Sequence, residues 1–322
     1  MGHTIYSNII GSFAFLDKKL VEERLSKGAD MAKNAALLEK QGQIDAEKQL
    51  LGKFSGADIV GKKNAPPSWV LDFFNQPKYL EKMQKAAMLI TKRKIAGSLN
   101  PEYLIVQAVQ NIAEIDKVVN NIGKRLREWY ELYNPEFSKS IESHEKFAEL
   151  IQKKSRKELL KEIDCSEDES MGAEITKKDL EPMMNLAAEI SSLFALRGKQ
   201  EKYVEKSMKE LLPNVTAVCG GMIGAKLLAV AGTLKKMALF PASTIQLLGA
   251  EKALFRHIKT GAKPPKFGVI INHPIVAKAK QSEKGKAARM LADKISIAAK
   301  IDFFKGEFRG DVLRKEVEKR FG

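Results

Sequence analysis

The sequence predicts a mainly α fold in three parts: a small α+β domain over residues 1–95, a long antiparallel coiled coil over 96–212 and an all-α basic domain over 213–322. Three observations carry that prediction. The first fifteen residues are rich in β-branched and aromatic side chains around Gly11. An apolar residue recurs at alternating spacings of three and four from Ile105 to Tyr133. The last third gathers most of the chain's excess positive charge onto segments of helical composition. At a typical ~100–200 residues per domain, a chain of 322 residues has room for two or three cores.

Taken in order, Thr4–Ile10 and Ser12–Phe15 read as a strand pair. Residues 29–51 switch to Ala, Leu, Glu, Lys and Gln, a helical composition. Gly52, Gly56, Gly61 and Pro66-Pro67 punctuate the next stretch, and a second helical run begins near Tyr79. In the middle third Ile105, Ala108, Ile112, Ile115, Val119, Ile122, Leu126, Trp129 and Tyr133 form a seam long enough to pack along a partner helix. Trp129 and Tyr133 could belong to that core or face a second copy of the chain. Pro135 interrupts the run, a helix over roughly 136–163 follows, and Asp164–Glu169 make an acidic turn. A third helix, about 177–211, has its seam at Met183, Ala187, Ile190 and Phe194 and resumes it at Val204, Met208 and Leu211. Arg197 and Glu201, beside Gly198, fall in the gap and make the seam locally polar. Periodicity alone fits an ordinary bundle as well; the length of the seam favours a rod.

Pro213 suits the first turn of a helix, where its missing N–H costs nothing. The helix Asn214–Val230 carries Gly220, Gly221 and Gly224, each costing ~1 kcal/mol relative to alanine, which predicts the close approach of another backbone. Pro241–Thr244 precede a helix from Ile245 to Lys259 that Gly261 stops. A proline-rich loop, Lys263–Gly268, leads to an apolar stretch ending in Asn272-His273-Pro274, and Ser282 is placed to cap a last helix running to about Ile301.

Several chemistries are excluded by spacing. Gly220–Lys226 resembles a phosphate loop but lacks the Lys-Ser/Thr ending and the preceding strand. His3, His144, His257 and His273 are scattered, and Cys165 and Cys219 are far apart, so neither a metal cluster nor a disulfide framework is expected. No nucleophile elbow occurs, and the chain is expected to catalyse nothing itself. No uninterrupted apolar run of membrane length appears, and the first residues lack the basic start of a secretory signal, so a reducing intracellular setting is expected and no membrane partner.

Charge is the stronger signal. The chain has 55 basic and 40 acidic residues, and residues 213–322 hold 21 of the basic against 8 of the acidic. Concentration in one folded segment points to a polyanion, with nucleic acid first. Lys252, Arg256 and Lys259 share one helix face; Lys286, Arg289, Asp293 and Lys300 share another. Leu247, Leu248, Leu254, Phe255 and Ile258, then Met290, Leu291, Ile295 and Ala298, are the expected core stripes behind those faces. His273 is a candidate to stack on an unpaired base.

These segments resemble the signature of the Nop-domain family: Pro241–Gln246 with Gly249–Phe255, the stretch Pro265–Pro274, and Lys286-Ala287-Ala288-Arg289 continuing to Ile297–Asp302. Arg125–Tyr130 of the middle third is also similar to that family, and the likeness covers roughly 100–308. The resemblance implies an archaeal-type scaffold of box C/D guide ribonucleoproteins, since the chain ends at Phe321-Gly322 without the lysine-rich tail of eukaryotic relatives. It implies an N-terminal domain that holds the methyltransferase fibrillarin, a coiled coil that self-associates into a homodimer through Ile112, Ile115, Val119, Ile122, Leu126, Trp129, Tyr133, Ile190 and Phe194, and a C-terminal Nop domain. That domain would grip a box C/D guide RNA whose kink-turn is already held by a small kink-turn-binding protein. Phosphates would be neutralised by Lys226, Lys252, Arg256, Lys259, Lys266, Lys286, Arg289 and Lys300, with Gln246, Gly249, Ala250 and Glu251 near the guide and His273 near the kink-turn. The methyl donor would belong to fibrillarin, leaving this chain without a cofactor. The expected place is the cytoplasm of an archaeal cell, or the nucleolus of a eukaryote. The competing readings are a spliceosomal-type Nop-domain factor and a coiled-coil adaptor whose basic tail binds an acidic protein.

Overall fold

The computed structural model describes residues 2–61 and 65–321. It divides into two compact units, Met1–Leu99 and Asn100–Gly322.

The first unit runs β1 (Thr4–Asn8), β2 (Gly11–Leu16), β3 (Lys19–Leu25), α1 (Gly28–Glu39), α2 (Asp45–Lys53), β4 (Asp58–Val60), α3 (Ser68–Phe74) and α4 (Pro77–Gly97). The expected strand pair is β1–β2, closed by a tight turn in which Asn8 Oδ1 accepts from Ile10 N at 3.0 Å. The sheet is wider than expected, in the order β3-β2-β1-β4, with β4 parallel to β1. β3 escapes a hydrophobicity reading because Lys-Leu-Val-Glu-Glu-Arg-Leu is charge-rich, as suits an edge strand. Residues 29–51 form two helices, not one, because the chain reverses at Gln41, whose φ is 57°. The two-residue period of β2 sorts its side chains: Phe13 and Phe15 pack with Val70, Phe74 and Tyr79, and Ala14 packs with Ile5 and Leu50 on the other face.

The second unit opens with α5 (Pro101–Tyr130), α6 (Pro135–Ser140), α7 (His144–Lys153), α8 (Arg156–Lys161) and α9 (Lys177–Leu211). Asn100 caps α5 by accepting from Glu102 N at 3.2 Å, and Pro101 takes its first position. The expected helix over 136–163 is three short ones. Ser143 caps α7, and Ser155 with Glu158 forms a capping box at the start of α8, so each serine begins a new helix where a continuous one was expected. α5 and α9 run antiparallel and bury Ile115, Val119 and Leu126 against Met183, Ala187 and Ile190, with Phe147 and Ile151 of α7 closing the distal end. The polar gap in the α9 seam has a partner: Arg197 Nε donates to Asp116 Oδ1 at 2.6 Å, and its Nη2 lies 3.1 Å from Glu201. α9 continues unbroken through Gly198.

The chain then enters a basic head built from α10 (Pro213–Cys219), α11 (Gly221–Ala231), α12 (Leu234–Leu239), α13 (Ala242–Leu247), α14 (Glu251–Thr260), a 3-10 turn at Val269–Asn272, α15 (Pro274–Lys278), α16 (Lys284–Phe303) and α17 (Gly310–Phe321). The helix expected over 214–230 is broken at Gly220, which adopts φ 81° and turns α11 by 117° from α10. What approaches its glycines is side chain, not backbone: a Cβ on Gly224 would come 2.9 Å from Met208 Cε. Glu205 Oε1 accepts from Met222 N at 3.2 Å, so a carboxylate of the chain itself occupies the start of α11. Ser282 makes no cap; α16 begins at Lys284 without one.

The head's core includes Met208, Val215, Leu228, Ile245, Leu291 and Ile295, and extends into α5 through Ile105 and Ile112. Asp302 ties the end of α16 to the start of α10, accepting from Asn214 N (3.1 Å), Asn214 Nδ2 (2.7 Å) and Val215 N (2.9 Å). Burial pushes the Asp302 carboxyl above its ordinary value despite those donors. Among the described residues no single helix is long and apolar enough to cross a membrane; α10 and α11 qualify only as a bent pair.

Candidate nucleic-acid interface

α13, the loop over 262–268, α16 and the end of α17 enclose an open cleft of about 1080 Å³. Four of the residues expected to contact RNA meet in it, Gln246, Lys266, Lys286 and Arg289; Asp293 joins them, and Leu247 and Met290, expected in the core, are only half-buried and line it as well. Lys286 and Arg289 project from one side of α16 because Ala287, Ala288 and Leu291 are buried on the other. The opposite wall is held by backbone. Gln246 Nε2 donates to Lys266 O at 2.6 Å, Gly268 N to Gln246 O at 2.8 Å and Val269 N to Leu248 O at 2.7 Å. A Cβ on Gly268 would sit 1.9 Å from Leu248 O, so only glycine lets the loop come this close. Gly249 turns the chain at φ 87°, Ala250 leads into α14, and Glu251 Oε1 accepts from Gly249 N at 2.7 Å. Gln246, Gly249, Ala250 and Glu251 thus shape the wall and the turn beyond it.

Other candidates lie elsewhere. The turn at Gly249 divides the helix expected over 245–259 and redirects its second half, so the apolar register does not carry on into the core. α14 buries no residue; Phe255 is 66% exposed and Ile258 74%, against the expectation of a core stripe. Lys252, Arg256 and Lys259 are exposed on the same helix. Lys300 shares the α16 face with Lys286, ~21 Å further along at 1.5 Å per residue, outside the cleft. Lys226 is half-buried on α11, also outside it. His273 lines a separate pocket of about 280 Å³ with Arg314 and Val317. Its Nδ1 accepts from Ile275 N at 3.3 Å, capping α15, while burial and then Arg314 hold its pKa below the ordinary value.

The cations are unusually free of partners. Of the 16 basic side chains from Lys226 to Lys305, only Lys294 forms an ion pair among the described residues, 2.5 Å from Glu316 and 3.9 Å from Asp293. Lys266, Lys286 and Arg289 keep their charge for whatever enters. Arg320 and Phe321 complete the cleft and were missed, because α17 was not expected; Gly310 followed by Leu313, Val317 and Phe321 at spacing four was the available signal. Among the described residues no group of three His, Cys, Asp or Glu could hold a metal.

The seam residues are spent within the chain. Ile112 is buried in the head's core, Ile115, Val119, Leu126 and Ile190 are buried between α5 and α9, and Ile122, Tyr133 and Phe194 pack against that second core. Trp129 differs, with 38% exposed beside Leu132 at 61%.

Residues 111–322 match the family model described as Nop, snoRNA binding domain, fibrillarin. Over 263 residues the chain is 39% identical to a NOP5 family protein of Methanocaldococcus jannaschii, covering 77% of this chain and 63% of that protein. It is 38% identical to nucleolar protein 58 of Schizosaccharomyces pombe (62% of this chain, 42% of that one). Nucleolar protein 56 of Dictyostelium discoideum is 40% identical over 62% of this chain and 41% of its own length. The chain therefore spans less than two thirds of the length of these relatives. A crystal structure of a fibrillarin/Nop5p complex overlaps 98% of each chain at 22% identity and a TM-score of 0.45, too loose an overlap to argue from.

Proposed function

The chain belongs to the Nop family, and on that premise we propose that it is a non-catalytic scaffold of a box C/D guide ribonucleoprotein. The head grips a guide RNA together with the kink-turn-binding protein seated on it. The N-terminal unit docks a fibrillarin-type methyltransferase, which brings the methyl donor for RNA-guided 2′-O-methylation. α5, with its 30 residues, spans ~45 Å at 1.5 Å per residue and serves as a ruler. Trp129 and Leu132 at the distal end are the surface offered to a second copy. In an archaeal cell the particle works in the cytoplasm, and in a eukaryote in the nucleolus.

The observation that carries this reading is the head's set of unpaired cations, with Lys286 and Arg289 one turn apart on a rigid helix and Lys266 across from them. A phosphate neutralised there releases about one counterion, so binding weakens steeply with salt. The test is reconstitution from the chain, fibrillarin, the kink-turn binder and a box C/D transcript, with each omitted in turn. Methylation should need all four, and the chain alone with donor and RNA should transfer nothing. Undiminished methylation without the chain would end the scaffold reading, and failure to retain fibrillarin would favour a spliceosomal-type factor.

A further inference from the structure

We propose that the cleft receives one unpaired guanine of the bound RNA, an inference that rests on the RNA-binding reading above. A surface meant only for phosphates needs cations alone, and this cleft is not built that way. Leu247, Met290 and Phe321 line it beside the basic side chains, apolar surface that suits the face of a base and does nothing for a sugar-phosphate chain.

The second observation is a carboxylate in the wrong place for a phosphate. Asp293 lines the cleft one turn beyond Arg289 on the same helix face, with its side chain 55% exposed. Its nearest cation, Lys294 at 3.9 Å, is committed to Glu316 at 2.5 Å. A carboxylate there repels phosphates and can only accept hydrogen bonds. Its two oxygens call for two adjacent donors. Guanine alone presents them on its Watson–Crick edge, at N1–H and the N2 amine. Adenine and cytosine set an acceptor beside their single amine, and the lone N–H of uracil is flanked by carbonyls. The guanine must be unpaired, since pairing consumes that edge. Lys286, Arg289 and Lys266 then hold the flanking phosphates while the base lies on Met290 and Phe321.

The experiment titrates the full chain with fluorescent oligouridine carrying one central guanosine, inosine, adenosine or cytidine, reading anisotropy. The same preparations are assayed in parallel for retention of the box C/D RNA with its kink-turn binder. The guanosine oligomer should bind about tenfold more tightly than the inosine one, which lacks only the N2 amine. Asp293→Ala should erase that difference without moving the melting temperature, and Asp293→Asn should also lose it. Equal binding of guanosine and inosine oligomers, absence of binding by any oligomer, or a preference that survives in Asp293→Ala overturns the inference. If the composite is still retained, only the guanine site falls; if it is not, the scaffold reading falls with it.

Discussion

Of the 18 basic side chains in residues 101–212, seven pair with carboxylates among the described residues: Lys117 with Glu114, Arg125 with Glu128, Lys139 with Glu131, Lys153 with Glu149, Lys154 with Glu162, Lys157 with Glu167 and Arg197 with Asp116. In the head, from Lys226 to Lys305, Lys294 alone does so among the described residues. Both regions are held together by apolar burial, since exposed ion pairs contribute only ~0–1 kcal/mol each. Leaving the head's cations unpaired therefore costs its fold little and leaves their field directed outward. The difference teaches that the same residue types serve as a solvated jacket in one region and as an instrument in the other. Pairing, not abundance, tells them apart.

That contrast can be broken in four ways, from the strongest effect to the weakest. Leu126, fully buried in the α5–α9 seam, should cost ~2–5 kcal/mol as Leu126→Ala and lower the melting temperature, yet leave affinity for the RNA–protein composite unchanged. Lys286→Ala with Arg289→Ala should do the reverse. Composite affinity falls about a hundredfold or more, two charge-assisted contacts being worth ~1.5–3 kcal/mol each and each ~1.4 kcal/mol a factor of ten, and the melting temperature holds. The slope of log affinity against log salt should also flatten by about one to two. Unchanged retention in a gel-shift titration would remove that face from the interface.

Arg197→Ala should cost no more than ~1 kcal/mol, because the Asp116 pair is partly exposed; a larger loss in a denaturant titration would mean that this polar layer fixes the register of the two helices. The smallest effect is acid sensitivity, and here the two regions behave alike. His144 sits in the rod, accepting from Arg127 Nε at 2.9 Å, and His273 sits in the head. Burial first, then Arg127 and Lys124 for His144 and Arg314 for His273, hold both below the ordinary 6.5. The unfolded chain then binds protons that the folded chain refuses, so stability is full above that value and falls as pH drops toward the folded values. Melting curves between about pH 7.5 and about pH 5 should show the loss, and His144→Gln or His273→Gln should each diminish it. An unchanged pH dependence in both variants would assign it to other groups.

The long helices were legible because their apolar stripes run for many turns. The stripe over residues 177–211 lapses only around Gly198, and α9 has those bounds and runs straight through the gap. The breaks were not legible. Gly220 and Gly249 read as tolerated helical glycines until their positive φ is seen, and the single helix expected over 136–163 ran through Ser143 and Ser155, each of which caps a new one. Lys286 and Arg289 could be placed on one face by spacing alone. That Lys266 lies across from them, and Arg320 and Phe321 beside them, depends on where the loop and α17 dock. Phe255 and Ile258 show the opposite failure: a faultless amphipathic stripe with no core behind it.

By itself the sequence determined the mainly α class, the antiparallel helix pair and the collection of cations in the last third, because periodicity and charge are properties of neighbours along the chain. The cleft was decided by tertiary structure alone. Its walls come from segments dozens of residues apart, brought together by burial of their far sides, and no local pattern records which basic side chains will finish without a partner.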